Sequence, residues 1–521
     1  MSRIPIHPLL VALVPVLSMY AALPGSTELP ELTRAAAAAA LAAAAGMAIA
    51  WLAFRDIQKA ALFTSVLLVV FVAVGATYGA LEQWEVGGFR PARRRFFLPG
   101  VYLGLLGLAL TIRRTRRSLA TATALANVVA LGALLPPAFS ITSAQMARAR
   151  ERGDMPVLSP ITAAGPAAPQ PDIYYLVFDR YGDERTLRAH GVDNEPLFEY
   201  LEGRGFFVAR ASRANYIKTV LSLASSLNMA WLDDVARVYG PQSQNWEPVY
   251  SRIRQHRVGR FLRERGYDYY HLGSWYWPTR TNPLATQNRN YYHDVPKSVV
   301  RLLDNVLFEP VQRWTASPLV DQRRQHWERS VQQVADVLDI AARPGHKFVF
   351  LHLLVPHHPY VFDRDGSFVP REVENRRSRA RNYANQVHAA NRMIRQLVDG
   401  ILRRSAAPPV IIVQGDEGPY PPGTEDDGFE WRRASSDILR ERAGILNAYL
   451  LPDSQGEPPA GLYPGISPVN TFRVVFNTYF GTRLPLVPDR TFRHASDSQP
   501  YAYDDITDLV AERDTRRARV E

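Results

Sequence analysis

Residues 410–418 read VIIVQGDEG, and this stretch decides the predicted fold. Four apolar residues are followed at once by a turn that carries two adjacent acids, Asp416 and Glu417. The segment before them, residues 384–404, has apolar side chains at helical spacing. A short apolar run that follows a helix is typical of a strand buried on both faces of a parallel sheet. The stretch therefore predicts an α/β domain with acidic side chains where a buried strand ends.

Two further apolar runs end in similar side chains. Residues 173–178, IYYLVF, are followed by Asp179, and residues 348–354, FVFLHLL, lead into the turn PHHPY at 356–360. Shorter strand candidates are found at 206–211, 267–271 and 446–451. In open α/β sheets, ligands bind beyond the carboxyl ends of the strands. We therefore predict a mostly parallel sheet, covered by helices, with acidic and histidine side chains converging at one edge.

Thr219 stands just before a helical pattern at residues 220–232. A threonine at this place is commonly the N-cap, whose hydroxyl accepts a backbone N–H. A helix N-terminus also favours negative charge, so the same hydroxyl could act as a nucleophile. Position alone leaves both interpretations open. His352, inside the apolar run 348–354, is interpreted as a hydrogen-bonded core histidine.

Residues 1–144 differ in kind from the rest because they consist of long apolar stretches. A helix needs about 20 apolar residues to cross a bilayer. Five segments approach or reach that length, at residues 8–23, 35–54, 60–81, 97–112 and 119–139. The first could be a signal peptide, since Ser2 and Arg3 precede a short apolar region, but four more segments follow it. We predict a bundle of about five transmembrane helices, with 97–112 the weakest member.

Basic residues set the predicted orientation of this bundle. Arg3, Arg55, Lys59 and the arginines at 113–117 all lie on the cytoplasmic side if the segments alternate, as the positive-inside rule requires. The arginines at 90–95 are an exception to the rule, because the same alternation places them on the extracytoplasmic side. Five crossings put the rest of the chain on the extracytoplasmic side, whereas an even number would put it in the cytoplasm. We therefore predict a multi-pass protein of the cell (inner) membrane with an extracytoplasmic C-terminal domain.

The predicted organisation has four parts. They are a transmembrane bundle over residues 1–144, a linker rich in Pro, Ala and Arg over 145–171, the α/β domain over 172–505 and a charged tail over 506–521. The chain has no cysteine, which excludes disulfides, thiolate metal sites and a cysteine nucleophile. The net charge of +11 is attributed to arginines that flank the apolar segments. Nucleic acid is not an expected partner, because no basic helix or aromatic-interleaved motif accompanies this charge.

In order and spacing, the motifs of residues 172–505 resemble those of the alkaline phosphatase/sulfatase superfamily. The resemblance is to its membrane-anchored branch of lipoteichoic acid synthase-like and phosphoethanolamine transferase-like enzymes. Asp179 in YYLVFDRYG matches an acidic metal ligand of the family. Thr219 in NYIKTVLSLASSLN matches a nucleophile that also ligates metal, and His357 in PHHPY matches a histidine that contacts substrate. Asp416 and Glu417 stand where the family has an Asp-His pair that closes the metal site.

The resemblance also implies residues that bind substrate. Lys218 precedes the nucleophile as it does in the family. His357 is expected to contact the substrate and to act in catalysis, either by orienting the substrate or by protonating the leaving oxygen. The segment HLGSWYWPTR at 271–280 loosely matches a loop that holds a phosphoglycerol group, which would assign Trp277 and Arg280 to substrate binding. An aromatic core patch with a surface arginine is the alternative interpretation of this segment.

Two departures from the family pattern bear on the chemistry. Glu417 replaces the usual histidine, so the ligand set that the resemblance implies, Asp179, Thr219, Asp416 and Glu417, contains only oxygen. Such a set favours one divalent metal ion, with Mn expected before Mg, Ca or Zn. No C/S-x-P-x-R signature occurs in the sequence, so a type I sulfatase is not expected.

The resemblance implies a membrane-bound phosphotransferase that uses Thr219 as nucleophile. Membrane lipids would be the donor of a phospho-headgroup, and an envelope glycan or lipid would be the acceptor. One alternative is a phosphodiesterase or phosphatase of the same fold, which uses water as acceptor. Another is a non-catalytic envelope binding protein that retains the fold, and Glu417 in place of histidine keeps this alternative open.

Overall fold

The computed structural model describes residues 4–22, 29–81, 93–152, 156, 158–162, 170–290, 321–424, 429–452 and 461–511. The chain divides into two compact units. The first holds the N-terminal helices, and the second holds every strand of the described residues.

The first unit is a bundle of apolar helices. Its members are α1 (His7–Ala22), α2 (Leu29–Phe54), α3 (Ile57–Leu81), α4 (Arg94–Arg114) and α5 (Ala120–Arg152). By length and composition, α2 to α5 each contain a stretch able to cross a membrane, and α1 is a shorter apolar helix. The prediction of an N-terminal bundle of about five apolar helices is confirmed. The short member is α1 and not the predicted span 97–112, because the apolar stretch of α4 extends over 19 residues.

The helix α5 extends further than the sequence predicted. It continues to Arg152, so the first eight residues of the predicted linker at 145–171 are helical. Its last residues, SAQMARARER, include Ala, Gln, Met, Glu and Arg, all of which are good helix formers. Residues 153–155, 157 and 163–169 of the predicted linker lie outside the described residues.

The second unit is built on a seven-stranded mixed sheet and a separate hairpin. The sheet contains β1 (Ile173–Phe178), β2 (Phe207–Val208), β3 (Asp268–Leu272), β4 (Gln287–Asn288), β5 (Lys347–Leu353), β6 (Val410–Gly415) and β7 (Asn447–Leu450), and the hairpin contains β8 (Phe492–Ser496) and β9 (Gln499–Asp505). The order across the sheet is β2-β7-β6-β1-β5-β3-β4. Of these seven strands, β7 alone runs in the opposite direction to the other six, so its pairs with β2 and β6 are antiparallel and the remaining pairs are parallel. The predicted mostly parallel sheet is confirmed. Each predicted strand overlaps an observed one, although the strand predicted at 206–211 is reduced to Phe207–Val208.

Helices cover both faces of this sheet. The helices of the unit are α6 (Glu184–Ala189), α7 (Glu195–Glu202), α8 (Thr219–Asn228), α9 (Asp233–Tyr239), α10 (Glu247–Arg254), α11 (Arg257–Glu264), α12 (Gln322–Ala341), α13 (Arg371–Asn375), α14 (Arg379–Arg404), α15 (Ser436–Ala443), α16 (Pro468–Tyr479) and α17 (Thr507–Val510). Alternate side chains of β1 point to opposite faces. Leu176 joins the core formed with α12 and α14, whereas Tyr175 joins the core formed with α8, α11 and α16. Burial on both faces explains why the strand sequences are almost entirely apolar.

The predicted charged tail, residues 506–521, is described only in its first part. The helix α17 lies within it, and Val510 is buried in a small apolar cluster with Trp431 and Leu439. Residues 512–521 lie outside the described residues.

Candidate active site

The carboxyl ends of the adjacent strands β5, β1 and β6 bring three ionisable side chains together. The last residues of β1 and β6, Phe178 and Gly415, are paired in register. Asp179 and Asp416 each follow one residue later, so the two acids lie side by side. His352 is the penultimate residue of β5, on the other side of β1. The predicted convergence of acidic and histidine side chains at one sheet edge therefore has a direct cause in the strand register.

The backbone after β1 and β6 is closely packed, which fixes the position of the acids. A Cβ atom on Gly415 would lie 2.5 Å from the carbonyl oxygen of Tyr181, so only glycine fits there. Arg180 has a φ of 64°, a left-handed conformation that is uncommon for residues other than glycine. Its backbone N–H donates to Asp416 Oδ1 at 3.0 Å. The two turns are thus tied to each other directly at the site.

Asp179, His352 and Asp416 form a buried group that could hold a metal ion. One possible ligand atom from each residue lies within 4.8 Å of the others. His352 Nε2 is 3.4 Å from Asp179 Oδ2. Within the described part of the chain, Asp179 Oδ1, Asp416 Oδ2 and His352 Nε2 are buried and have no hydrogen-bond partner. Buried polar atoms are normally satisfied, so three such atoms in one buried group fit a bound cation.

The electrostatics of this group also fit a cation. Burial raises the pKa of Asp179 to about 7, although the nearby Arg180 opposes the shift. Burial, followed by the negative charges of Asp179 and Glu417, raises the pKa of Asp416 to about 8. Acids that share a dry pocket disfavour each other's ionisation, and a bound cation would remove that penalty. Burial lowers the pKa of His352 to about 4, which keeps the imidazole in the neutral form that binds metals.

His352 was interpreted as a hydrogen-bonded core histidine, and that bond is present. Its Nδ1 lies 2.7 Å from Thr279 Oγ1, and both side chains are fully buried. The second ring nitrogen, however, faces the acids, so the interpretation was incomplete. A hydrogen bond at one nitrogen orients an imidazole for metal binding through the other. With one nitrogen and two carboxylates, the donor set suits Zn as well as Mn, and the argument for Mn from an oxygen-only site loses its basis.

Thr219 is not the N-cap of its helix. It is the first residue of α8, and Lys218 occupies the N-cap position. The Thr219 hydroxyl donates instead to Glu417 Oε1 at 3.1 Å, and both side chains are buried. Ser222, one turn later, donates to the carbonyl oxygen of Asp416 at 2.7 Å. The N-terminus of α8 is therefore joined to the end of β6, and the hydroxyl lies beside the acidic group.

Glu417 has partners that distinguish it from the other two acids. Its Oε2 is 2.5 Å from a guanidinium nitrogen of Arg442, a side chain that is fully buried. Its Oε1 accepts from Thr219 and lies 3.8 Å from Arg180 Nε. The group of possible metal ligands in the described residues does not include Glu417. Its predicted role as a metal ligand stays a prediction.

His357 lies in the turn after β5 and is nearly buried. Its Nδ1 donates to the carbonyl oxygen of His358, since a carbonyl can only accept, and this leaves Nε2 with a free lone pair. The ring stacks on His358 and contacts Trp275 edge-on. Burial, Arg180 and His358 hold the pKa of His357 well below its usual range. His357 is therefore neutral near pH 7, with its Nε2 lone pair available.

The aromatic loop at 274–280 contacts the site through Trp275 and Thr279. Trp275 contacts His357, and Thr279 is bonded to His352. Burial raises the pKa of Tyr276 far above its usual range, and the negative charges of Asp179, Glu417 and Asp416 raise it further. Trp277 forms a short 3₁₀ turn with Thr279. The assignment of Trp277 and of Arg280 to substrate binding stays a prediction.

Lys218 belongs to a charged chain that the sequence did not reveal. Its Nζ lies 2.6 Å from Asp497 Oδ2, and Asp497 Oδ1 lies 2.9 Å from Nε2 of the buried His494. Asp497 follows β8 and is separated from Lys218 by more than half of the domain's sequence, so no motif spacing could indicate the contact. The indole N–H of Trp246 donates to the carbonyl oxygen of Asp497 at 3.0 Å and fixes it further.

Comparison with protein families gives one match in the same region. The sulfatase family model matches residues 217–455, a range that contains Thr219, His352, His357, Asp416 and Glu417 and begins after Asp179. A comparison with curated proteins finds no match.

Several solved structures are similar to the chain. One is the C-terminal periplasmic domain of EcEptC from Escherichia coli, with 14% identity, coverage of 67% of this chain and 96% of that chain, and a TM-score of 0.41. Another is the integral membrane protein lipooligosaccharide phosphoethanolamine transferase A (EptA) from Neisseria meningitidis, with 13% identity, coverage of 80% and 75%, and a TM-score of 0.38. A putative sulfatase, yidJ, from Bacteroides fragilis has 12% identity, coverage of 63% and 78%, and a TM-score of 0.37.

Proposed function

We propose that the domain matched by the sulfatase family model is a metal-dependent phosphotransferase of the alkaline phosphatase type. It would move a phospho-headgroup from a membrane lipid to an envelope glycan or lipid through a covalent intermediate on Thr219. The observation that carries this proposal is the Thr219 hydroxyl. It begins a buried helix, is not used as a cap, and donates to Glu417 beside three unpaired ligand atoms.

Asp179, His352 and Asp416 would hold the metal ion, with the Thr219 hydroxyl close by. A divalent cation held there would lower the pKa of the hydroxyl and withdraw charge from the phosphoryl oxygens. Both Mn and Zn suit this set of nitrogen and carboxylate donors, so the choice between them belongs to experiment.

In the first half of the reaction, a bond forms between Thr219 Oγ1 and phosphorus while the bond from phosphorus to the lipid alcohol breaks. The hydroxyl proton already points at Glu417 Oε1, which receives it. The departing alkoxide takes a proton in turn, so Glu417 is again ionised for the next cycle. The N-terminus of α8 favours the negative charge that develops on Oγ1.

In the second half, an acceptor hydroxyl attacks the phosphorus of phospho-Thr219, the bond to Oγ1 breaks, and Oγ1 takes a proton from the solvent, which restores the Thr219 hydroxyl. The proton that the acceptor hydroxyl loses returns to the solvent through His357. His357 is suited to take the proton of this hydroxyl, because its Nδ1 is used as a donor and its Nε2 retains a lone pair. Lys218, Trp277 and Arg280 are proposed to contact the donor's phosphate or headgroup. The Lys218 ammonium is already held in place by Asp497.

The apolar helices support a lipid as the donor. A domain tethered by α1 to α5 meets membrane lipids at high effective concentration, whereas a soluble donor has no such advantage. We therefore propose that the protein lies in the cell (inner) membrane with its enzymatic domain on the extracytoplasmic side. Transfer to an envelope acceptor is favoured over hydrolysis on the same ground.

The proposal is tested with the full-length protein in liposomes that contain headgroup-labelled fluorescent phospholipids, with Mn or Zn added. We expect headgroup release by the wild-type protein, none by Thr219→Ala, and a phosphoryl mass increment on Thr219 when the reaction is stopped early. Thr478→Ala is the matched control, because in the described residues that hydroxyl donates to the carbonyl oxygen of Val474 in its own helix α16. Equal release by Thr219→Ala and the wild-type protein would show that Thr219 is not the nucleophile.

The same experiment separates the alternatives. Release that does not change when an alcohol acceptor is added indicates a phosphodiesterase or phosphatase. A protein that neither binds a divalent ion nor releases any headgroup is a non-catalytic member of the fold.

A further inference from the structure

Arg442 is a fully buried arginine to which neither the predicted mechanism nor the family motifs assign a role. It lies near the end of α15. Its guanidinium donates to the carbonyl oxygen of Ile217 at 2.8 Å and to that of Gly418, and it pairs with Glu417. It thus contacts the strand end that carries Glu417 and the segment that leads into Thr219. These contacts span the two elements that form the site.

Both oxygens of Glu417 have close partners. Oε2 forms an ion pair with Arg442 at 2.5 Å, and Oε1 accepts from Thr219 at 3.1 Å. One oxygen of each of the three acids, Asp179 Oδ1, Asp416 Oδ2 and Glu417 Oε2, has no hydrogen-bond partner in the described residues. The ion pair nevertheless gives Glu417 Oε2 a much closer cation than Asp179 Oδ1 has in Arg180, at 3.9 Å. A carboxylate whose oxygens are occupied in this way is a poorer metal ligand than one with a free oxygen.

The surroundings of Arg442 keep its charge in one place. The guanidinium carbon lies 3.9 Å from the ring centre of Tyr420 and 5.5 Å from that of Trp431. Aromatic faces attract a guanidinium, and a planar group stacked in this way has little freedom to reorient. A buried carboxylate needs a nearby cation, since an unpaired charge away from water is strongly unfavourable. Arg442 supplies that cation to Glu417 from the protein itself.

We propose that Arg442 is the fixed counter-cation of Glu417, which keeps Glu417 out of the metal's ligand set and directs its other oxygen to the Thr219 hydroxyl. This inference rests on the proposed function, in which Asp179, His352 and Asp416 hold the metal and Thr219 is the nucleophile. Arg442 is thereby a positioning residue for the nucleophile. Its charge stands where a second bound cation would otherwise be needed, so the site binds a single metal ion.

Metal binding gives a test that does not depend on turnover. Apoprotein of the full chain is titrated with Mn²⁺, and the bound metal is counted after dialysis. We expect one ion per chain in the wild-type protein and in Glu417→Gln, with dissociation constants that agree within about threefold. Asp416→Asn, the matched control one residue earlier, is expected to weaken binding at least about 100-fold, because it removes a ligand and not a neighbour of one.

Kinetics then test the positioning role. With bis-p-nitrophenyl phosphate as substrate, Glu417→Gln is expected to lower kcat about 100-fold and to leave KM within about threefold, since the amide oxygen can still accept the Thr219 hydrogen bond but cannot take its proton. Arg442→Lys keeps the positive charge but loses the planar guanidinium with its several N–H donors. We expect this variant to retain more activity than Arg442→Met, which loses the charge as well.

Arg442→Met releases Glu417 from its counter-cation, so we expect this variant to bind a second Mn²⁺ or to bind the first at least about tenfold more tightly. The double variant Arg442→Met/Glu417→Gln should bind one ion, as the wild-type protein does. If Arg442→Met does not fold, the comparison of Glu417→Gln with Asp416→Asn decides the question alone.

Loss of metal in Glu417→Gln equal to that in Asp416→Asn would overturn the inference, because Glu417 would then be a ligand. Two ions per wild-type chain would overturn it as well. Failure of the proposed function looks different. In that case the phospholipids and the chromogenic diester stay intact, while the metal titration still reports on Arg442 and Glu417.

Discussion

His352 connects the strand core with the candidate metal site. Its Nδ1 is bonded to Thr279, and its Nε2 faces Asp179 at 3.4 Å. A ligand and the residue that orients it are expected to contribute differently to binding. Loss of the ligand removes one bond to the metal, whereas loss of the orienting partner leaves the bond possible but less well aligned.

We predict that His352→Leu weakens Mn²⁺ or Zn²⁺ binding by the full-length protein at least about 100-fold, and that Thr279→Val weakens it about tenfold. Equilibrium dialysis of apoprotein measures both. The control is His271→Leu, because His271 is buried on the neighbouring strand β3 and its Nε2 is already bonded to the carbonyl oxygen of Thr279. Unchanged metal affinity in His352→Leu would contradict the assignment of this residue as a ligand.

At the scale of elements, the turn after β6 depends on two glycines that allow close approach. A Cβ on Gly415 would lie 2.5 Å from the carbonyl oxygen of Tyr181, and one on Gly418 would lie 1.9 Å from that of Glu441. In both cases the obstructing atom belongs to backbone and cannot turn away as a side chain could. The close approach brings β6 against the turn after β1 and against α15.

We therefore predict that Gly415→Ala and Gly418→Ala each lower the free energy of unfolding by about 2 kcal/mol or more, as overpacking of a buried site does. Gly465→Ala is the control, because a Cβ there meets no atom within 4 Å. Thermal unfolding of the purified full-length variants, followed by tryptophan fluorescence, measures the difference. Equal unfolding temperatures for the three variants would show that the turn adjusts without cost.

The helix α11 carries a histidine whose protonation should affect stability. His256 is fully buried, and its Nδ1 accepts from the backbone N–H of Gly259 at 2.9 Å as the N-cap of the helix. Burial, followed by the charges of His271 and Arg260, lowers the pKa of His256 to about 3. In the unfolded chain its pKa returns to about 6.5. Between these two values the unfolded chain binds the proton and the folded chain does not.

The contribution of neutral His256 to the free energy of unfolding is therefore fully present above about pH 6.5. It falls by about 1.4 kcal/mol per pH unit as the pH drops from about 6.5 toward 3. His256→Asn keeps a capping side chain but does not titrate. We predict that the variant loses less stability than the wild-type protein between pH 6.5 and 4.5, measured by denaturant unfolding of the full-length protein. Parallel pH profiles for the two proteins would contradict this account.

The elements of the second unit were largely predictable because their signals are local. The apolar sequences of β1, β5 and β6 are typical of strands that are buried on both faces of a sheet. The register of β1 with β6 then places Asp179 and Asp416, which follow these two strands, side by side. His352 was not recognised as facing the acids, because a histidine in an apolar strand has the same sequence pattern in either role. Arg442 was not predictable, since its pairing with Glu417 is made by the packing of α15 and has no spacing of its own.

On the scale of the chain as a whole, two connections that carry basic residues meet at one end of the first unit. Lys59, at the start of α3, donates through Nζ to the carbonyl oxygens of Arg113 and Thr115 at 3.1 and 2.8 Å. The connection between α2 and α3 and that between α4 and α5 thus lie at the same end of the bundle. Both carry arginines, and the positive-inside rule assigns such an end to the cytoplasm.

The helix α1 runs from this basic end toward the opposite one. Asn127, in the first part of α5, accepts from the backbone N–H groups of Ile6 and His7 and so caps the start of α1. Near the other end, Gln145 of α5 donates to the hydroxyl of Tyr20 at 3.3 Å. The two helices therefore run in the same direction, although α1 has only 16 residues. If α1 crosses the membrane in the same direction as α5, the bundle makes five crossings. An odd number of crossings places the start of α1 and the domain that follows α5 on opposite sides of the membrane.

Because the chain has no cysteine, single cysteines can report this topology without a background. We predict that Asp437→Cys, at a side chain that is 79% exposed, reacts with a membrane-impermeant maleimide added to intact spheroplasts. Ile4→Cys, at a residue that is 68% exposed, should react only after the membrane is permeabilised, and Arg116→Cys between α4 and α5 is its matched cytoplasmic control. Labelling of Ile4→Cys from outside, with Arg116→Cys protected, would mean that α1 does not cross and that the bundle has four spans. Protection of Asp437→Cys would put the enzymatic domain in the cytoplasm and remove the envelope acceptor from the proposed reaction.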